Sequence, residues 1–412
     1  MKNSIFYFLT FFAAVAAAQP EKRSVSIDKD FSPFMGAEDL LFAESLMARG
    51  YDALIPPPDH PKKKLFPAVG RFLECVVIWN PIQYFMNVVQ HEYFGHGYRL
   101  RSLGSEKATV IGYIFDSPPP FGGGGGATEF EITEAFTLAD GIAVTIAGLE
   151  AQDILAQRIY FDMIESHAVP YRVATAYSLA RQSLLTYVAA VFDTEEVEGS
   201  DIDDYVNEMN LAYPDALMTK RGVMVKSLLN LLDPLTFYSY VSPWKYIISG
   251  ETTSLRMIPI REGTKMLPNW KVTLTPYGIE HYLETYWSVD ATPAYAYIRG
   301  GQHADHGYGG CGIVWDSLCR IGRGRLGFAA HAWLQPMFRE PRSYEAAIEG
   351  VPPTEGQLAT TRVFGASGTL TVKYGSERCS LQVEAGYKTK GYLPGYDLGA
   401  SPIIRGGLAF RF

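Results

Sequence analysis

Seven consecutive residues, His91-Glu92-Tyr93-Phe94-Gly95-His96-Gly97, carry the side chains best suited to chemistry. Two imidazoles and a carboxylate on an apolar helical run are the parts of a hydrolytic metal site. The nitrogens bind the ion, and the glutamate beside the first histidine acts as general base toward water. The spacing is one residue longer than in H-E-x-x-H. In a regular α-helix positions i and i+4 lie about 40° apart, whereas i and i+5 lie about 140° apart and cannot chelate one ion. A single π-type turn returns the two to one face, and Gly95 is the residue expected to tolerate it. The spacing therefore predicts His91 and His96 as ligands, Glu92 as base, and a distorted turn between them. The competing reading is a core pair of histidines hydrogen-bonded to each other or to the backbone.

A catalytic zinc takes a third protein ligand and keeps one position open for water. Glu150, in the run DGIAVTIAGLEAQDILAQRIY, is the candidate, because a carboxylate within an apolar helix needs a metal or a charged partner nearby. Its alternatives are Asp153, then Glu134 and His167, or a plain solvated stripe with Gln152, Asp153 and Gln157. Arg99 and Arg101 follow the motif and are candidates to pair near Glu150 or to bind a substrate carboxylate. Tyr93, Tyr98 and Tyr113 are candidate oxyanion donors. His303 and His306, in GGQHADHGYGG, read as decoration of a loop between strands.

The hexapeptide HEYFGH resembles the H-E-x-x-G-H pattern of the dipeptidyl peptidase III family of zinc peptidases. That family places a glutamate ligand well downstream on another helix, where Glu150 matches in type. The resemblance implies that His91, His96 and Glu150 bind Zn2+ and that Glu92 is the catalytic base. It covers the hexapeptide and one glutamate. The double-glutamate signature around the third ligand is replaced here by Leu149-Glu150-Ala151-Gln152-Asp153.

Two kinds of element must position these residues. Before about residue 265 apolar residues recur at helical spacing, with candidate helices at 70–100, 131–164, 172–193, 202–212 and 216–232. Charges and prolines such as Glu74, Pro81, Asp140, Glu150 and Arg181 interrupt them, which argues against membrane-spanning helices. Residues 108–115 read as a strand, and the prolines and five glycines after it as a loop, either a flap over the site or a surface connection. From 265 on the period is two, as in Leu381, Val383, Ala385 and Tyr387 against Gln382, Glu384, Gly386 and Lys388. Seven or eight such strands, the last ending on Phe412, resemble bacterial outer-membrane β-barrel proteins, which implies apolar side chains outward and charges toward a lumen. A soluble sheet packed on the helices is the alternative.

The ends and composition set the context. Residues 1–18 read as a secretory signal, with Lys2, an apolar core, and Ala16 and Ala18 before Gln19. Cys75 reads as a buried free thiol, and Cys311 and Cys319 are candidates to bridge neighbouring strands. A formal charge of −8 argues against nucleic acid as a partner, and Lys62–Lys64 read as a solvated linker. The expectation is an α+β chain: a signal at 1–18, an extension or linker at 19–69, a helical metallohydrolase-like domain at 70–264 and an antiparallel sheet or small barrel at 265–412. The function expected is a zinc-dependent hydrolase, a peptidase acting on peptide or protein in the periplasm or outer membrane of a Gram-negative-type cell envelope. A non-enzymatic barrel pore or scaffold, and a zinc amidase acting on lipid or cell-wall substrates, are the alternatives.

Overall fold

A computed structural model of the chain describes residues 22–55, 66–194, 199–304, 306–336, 342–351, 362–376 and 378–411. The expected signal, Lys62–Lys64 and Phe412 lie outside the described residues. The fold is α+β, helices packed on a large antiparallel sheet.

The stretch expected to be a linker contributes to the fold. Lys22–Asp28 form β1, and Pro33–Leu54 form α1, which starts where Ser32 caps Met35 and Pro33 occupies the first turn. The motif lies on a continuous helical run: α2 (Phe66–Glu74), a π turn (Cys75–Trp79), α3 (Asn80–His91), a second π turn (Glu92–His96) and α4 (Gly97–Leu103). Within it Pro67–Leu103, 37 residues, is long and apolar enough to cross a membrane by length and composition, and 33% of its most apolar window is buried. The interruptions at Glu74 and Pro81 do not break it. Glu74 accepts hydrogen bonds from Trp79 Nε1, Tyr171 and Tyr246, and Pro81 falls in the first turn of α3, just after the π turn.

A hairpin of β2 (Ala108–Phe115) and β3 (Gly126–Ile132) follows, its loop holding the prolines and glycines. Then come α5 (Leu138–Thr145), opened by a Thr137/Asp140 capping box, and the long α6 (Ala147–Ser166). After the short strand β4 (Ala168–Val169) come α7 (Tyr171–Arg181), α8 (Ser183–Ala190), α9 (Asp201–Ala212), α10 (Lys220–Ser227), a 3-10 turn at Leu228–Leu232 and α11 (Pro234–Ser249). Strand β5 (Thr253–Ser254) pairs back to β4.

The sheet adds β6 (Ile258–Arg261), β7 (Thr264–Thr275), β8 (Gly278–Val289), β9 (Thr292–His303), β10 (His306–Ile321), β11 (Gly324–Pro336), β12 (Arg362–Gly375), β13 (Cys379–Lys388) and β14 (Ser401–Arg411), with helix α12 (Tyr344–Ile348) between β11 and β12. Its ten strands run β1-β14-β13-β12-β11-β10-β9-β8-β7-β6, so eight come from the period-two half and β1 arrives from the N-terminal stretch. Among the described residues no pairing joins β1 to β6, which are the two ends of the sheet, so the expected barrel is not seen to close.

Register assigns the faces, because residues directly opposite share one. Glu284 sits opposite Asn269 and Tyr297, and Arg299 opposite Tyr282. This polar face is buried and receives the helices. Tyr282, Tyr286, Tyr295 and Tyr297 share a core cluster with Ile154, Ile159 and Tyr160 of α6, so helical and sheet halves form one core. Buried ion pairs cross the same seam: Arg181 of α7 to Glu284 at 3.0 Å, with Arg299 to Glu280 at 2.9 Å and Arg405 to Glu384 at 2.7 Å on the sheet itself. The opposite face shows Leu283, Ile298, Phe364, Leu370, Leu381 and Ile404 to the outside. The expected polarity, charges inward and apolar outward, is present. Asp316 faces Lys373 on the inner side. Cys311 and Cys319 share β10 and are free, as are Cys75, which is buried, and Cys379.

Candidate metal centre

The π turn at Glu92–His96 brings the two imidazoles together. His91 Nε2 lies 3.0 Å from His96 Nε2, and both residues are buried. Gly95 serves a close approach as well as the turn that the sequence suggests. Its backbone is not in the left-handed region, and α6 crosses the π turn so closely that a Cβ at Gly95 would stand 2.7 Å from the Cα of Gly148. Gly148 in turn lies against the His91 imidazole, where a Cβ would overlap the ring.

Each imidazole is oriented through its other nitrogen. His96 Nδ1 lies 2.8 Å from the carbonyl of Val144, an acceptor only, so the proton sits on Nδ1. His91 Nδ1 lies 3.1 Å from Gln152 Oε1 and donates likewise. Tyr187 stacks on His91 with ring centroids 5.1 Å apart, its hydroxyl 3.4 Å from Nδ1. Both Nε2 lone pairs therefore point into the same small space, an orientation typical of metal-binding histidines.

The third side chain there is Asp201, at the start of α9 behind the cap Ser200. Its Oδ2 lies 2.9 Å from His91 Nε2 and its Oδ1 3.4 Å from His96 Nε2. Burial pushes this carboxyl up, but the imidazoles beside it, His96 foremost, outweigh that and hold it below the usual carboxylate range. Asp201 Oδ2 is buried and has no hydrogen-bond partner. Two imidazole nitrogens and a carboxylate oxygen thus converge on a place that needs positive charge: burial lowers His96, but the Asp201 carboxylate outweighs it and raises the imidazole to about 9, so a proton fills the gap where a metal ion would otherwise lie. A tetrahedral zinc with bonds of about 2.0–2.1 Å sets its ligand atoms about 3.3 Å apart, close to the separations present. His91, His96 and Asp201 are placed so that they could hold one metal ion.

Glu150, expected as the third ligand, does not join this group. Its oxygens accept from Arg99 Nη2 at 2.9 and 3.1 Å and from the Tyr392 hydroxyl at 3.0 Å, and it is also bonded by the amide of Gly395. The buried carboxylate does have the charged partner that burial demands, but the partner is the arginine three residues past His96. Asp153 lies near Arg181 and Lys271, Glu134 is exposed in a turn, and His167 caps the end of α6. Tyr98 bonds Asp397, and Arg101 bonds the Tyr113 hydroxyl and the Tyr93 carbonyl. His303 and His306 face each other at the end of the β9–β10 pair.

Glu92, next to the first histidine, is buried, and its Oε2 accepts from Thr128 Oγ1 of β3 at 2.8 Å. Gly126 of the same strand packs on it so tightly that a Cβ would come within 2.8 Å of Glu92 Cγ. The glycine-rich hairpin therefore lies directly over the motif. On α9, two turns past Asp201, burial raises the carboxyl of Glu208 to about 8, against hydrogen bonds from Thr145 and Tyr344. Sequence reasoning missed Asp201 and Tyr187. For Asp201 a signal existed, Ser200 followed by acidic residues at a helix start, but nothing in it distinguished Asp201 from Asp203 or Asp204. Comparison with family models, with curated proteins and with solved structures finds no match, so the case for a metal centre rests on this geometry.

Proposed function

We propose that the chain is a zinc-dependent hydrolase of the bacterial cell envelope, a peptidase, in which His91, His96 and Asp201 hold the ion and Glu92 is the general base. The observation that carries this reading is the convergence of two imidazole Nε2 atoms with the Asp201 carboxylate, one residue from a buried glutamate. Two imidazoles and one carboxylate are a donor set suited to zinc, with one position left for water. Zinc, when bound, supplies a water whose pKa is lowered to about 7. Glu92 would accept a proton from the attacking water and pass it to the leaving amine, and Thr128, which donates to its carboxylate, would keep it aimed. Gln152 and Val144 keep the imidazoles in the tautomer that binds metal.

The envelope assignment rests on the signal-like N-terminus and on the sheet, whose polar side chains turn inward and whose apolar side chains turn outward, the pattern of an outer-membrane barrel. In this reading the apolar outer face of the sheet lies against the outer membrane, while its polar face holds the helices. Replacing Glu92 with Gln tests the chemistry: one zinc per chain should remain, and hydrolysis of a peptide panel should fall by at least about a hundredfold. A variant that keeps full activity overturns the catalytic assignment. A purified wild-type chain without stoichiometric zinc favours the non-enzymatic scaffold.

A further inference from the structure

The hairpin that touches Glu92 has an apolar tip. Ile114 and Phe121 are 47% and 63% exposed, and the Phe115 ring lies 5.8 Å from that of Phe85 on α3, itself exposed. Two of its acidic residues, Glu129 and Glu131, lie toward the base, and Asp116, where the loop begins, is the one charge at the tip. The hairpin runs antiparallel along the motif helix. Gly124 packs on Tyr84, Gly126 on Val88 and Glu92, and Tyr113 on Gly97. Below the tip the same helix continues with Val69, Phe72, Leu73 and Val77 bare. Beside it, joined where Arg71 Nε donates to the Ile247 carbonyl at 3.0 Å, α11 shows Tyr240, Val241, Trp244 and Ile248. The 3-10 turn before α11 bonds β7 through Asn230 and the backbone of Val272, so this surface runs on to the outer face of the sheet. From β7 to β14 the outward register holds no Asp, Glu, Lys or Arg except Arg362, the first residue of β12.

The dimensions agree. At about 1.5 Å per helical residue, Val69 to Phe85 spans about 24 Å, against an apolar band about 25 Å tall on outer-membrane barrels. His91 then lies about 9 Å beyond Phe85 along the axis. Within Val69–Phe85 the charges of Arg71 and Glu74 are turned onto Ile247, Trp79, Tyr171 and Tyr246, and beyond it charges gather on helix and hairpin together, at Glu92, Arg99, Arg101, Glu129 and Glu131.

We propose that Val69–Phe85 and the tip of the β2–β3 hairpin lie in a lipid bilayer beside the sheet, which sets the metal site at the bilayer surface and selects a polypeptide anchored in that bilayer as substrate. The bare helix and the bare sheet face are then one lipid-contacting belt. The substrate class rests on the peptidase reading; the bilayer contact does not. A polypeptide tethered at the surface is held at high local concentration within reach of Glu92, whereas a freely diffusing peptide gains nothing from the hairpin's apolar tip.

The test uses the full chain in phosphatidylethanolamine–phosphatidylglycerol vesicles. One peptide is offered free and with an acyl anchor at one end. Wild type should cleave the anchored form with kcat/KM at least tenfold higher. The Ile114→Ser/Phe121→Ser variant should lose most of that ratio while its rate on the free peptide stays the same. Independently of activity, the tryptophan introduced by Phe121→Trp should be strongly quenched by brominated lipid. Quenching with no cleavage of either peptide refutes the peptidase reading and leaves the bilayer contact standing. An unquenched tryptophan refutes the bilayer contact, and equal rates on both peptides refute the substrate class.

Discussion

The third ligand divides two accounts of the site that the sequence leaves open, and one pair of substitutions separates them. Asp201→Ala removes a carboxylate 2.9 Å from His91 Nε2. Four-ligand zinc sites bind with about 10–16 kcal/mol, so one ligand carries about 3 kcal/mol, or about a hundredfold in Kd. The cost to the metal-free fold is small, because Asp201 lies in the first turn of α9, contributes about 0.3–1 kcal/mol through the helix dipole, and its side chain meets, among the described residues, only the two imidazoles. Glu150→Gln does the reverse. It leaves the buried guanidinium of Arg99 without its carboxylate, which costs about 3–5 kcal/mol of stability, yet it touches none of the converging lone pairs. The assay is a competition titration of zinc against a chromophoric chelator, with thermal unfolding of the chelated proteins alongside. Asp201→Ala should lose zinc affinity at nearly unchanged apo-protein Tm, and Glu150→Gln should lose Tm and keep zinc. Zinc lost from Glu150→Gln at unchanged Tm, with Asp201→Ala still loaded, would refute the ligand assignment.

Other perturbations read other parts of the site. Gly148→Ala drives a methyl into the His91 ring and should weaken zinc binding at least about tenfold, read by the same titration with circular dichroism as the fold control. Gly95→Ala, 2.7 Å from the Gly148 backbone, should cost about 1–3 kcal/mol by overpacking, read as a lowered denaturant midpoint. Glu208 gives a pH signature. Its carboxyl rises from 4.5 to about 8 on folding, so between these values the folded state holds a proton that the unfolded state has released, and stability falls as pH rises through that window. Glu208→Gln cannot ionise. Its Tm should match wild type near pH 4.5, exceed it increasingly toward pH 8, and hold that advantage above; a constant difference across the range contradicts the burial argument.

Much of this was legible in the chain. The i, i+5 spacing of His91 and His96 forces a π turn if both are to face one ion, and the turn is where that logic puts it. The strand at 108–115 was legible, and alternation pointed to seven or eight strands after residue 265, where eight stand. The close approach at Gly95 was not legible, because a helix crossing has no local signature: the glycine clears space for α6 as well as standing in the turn. Glu150 misled for a related reason. Sequence shows that a carboxylate in an apolar run needs a partner, but an arginine and a metal satisfy that need equally well, and only packing brings Arg99 to it. Asp201 was hidden among other acidic residues at a helix start, where charge is ordinary. The helix over 70–100 was legible in spite of Glu74, but the partners that satisfy that carboxylate, Tyr171 and Tyr246, were not, because they lie far along the chain.

The central claim, that one ion binds between these three side chains, is open to direct inspection. Anomalous diffraction at the zinc edge from crystals of the zinc-loaded chain should give one strong peak about 2.0–2.1 Å from His91 Nε2, His96 Nε2 and an Asp201 oxygen. A peak at His303 and His306, or no peak between His91 and His96, would contradict it.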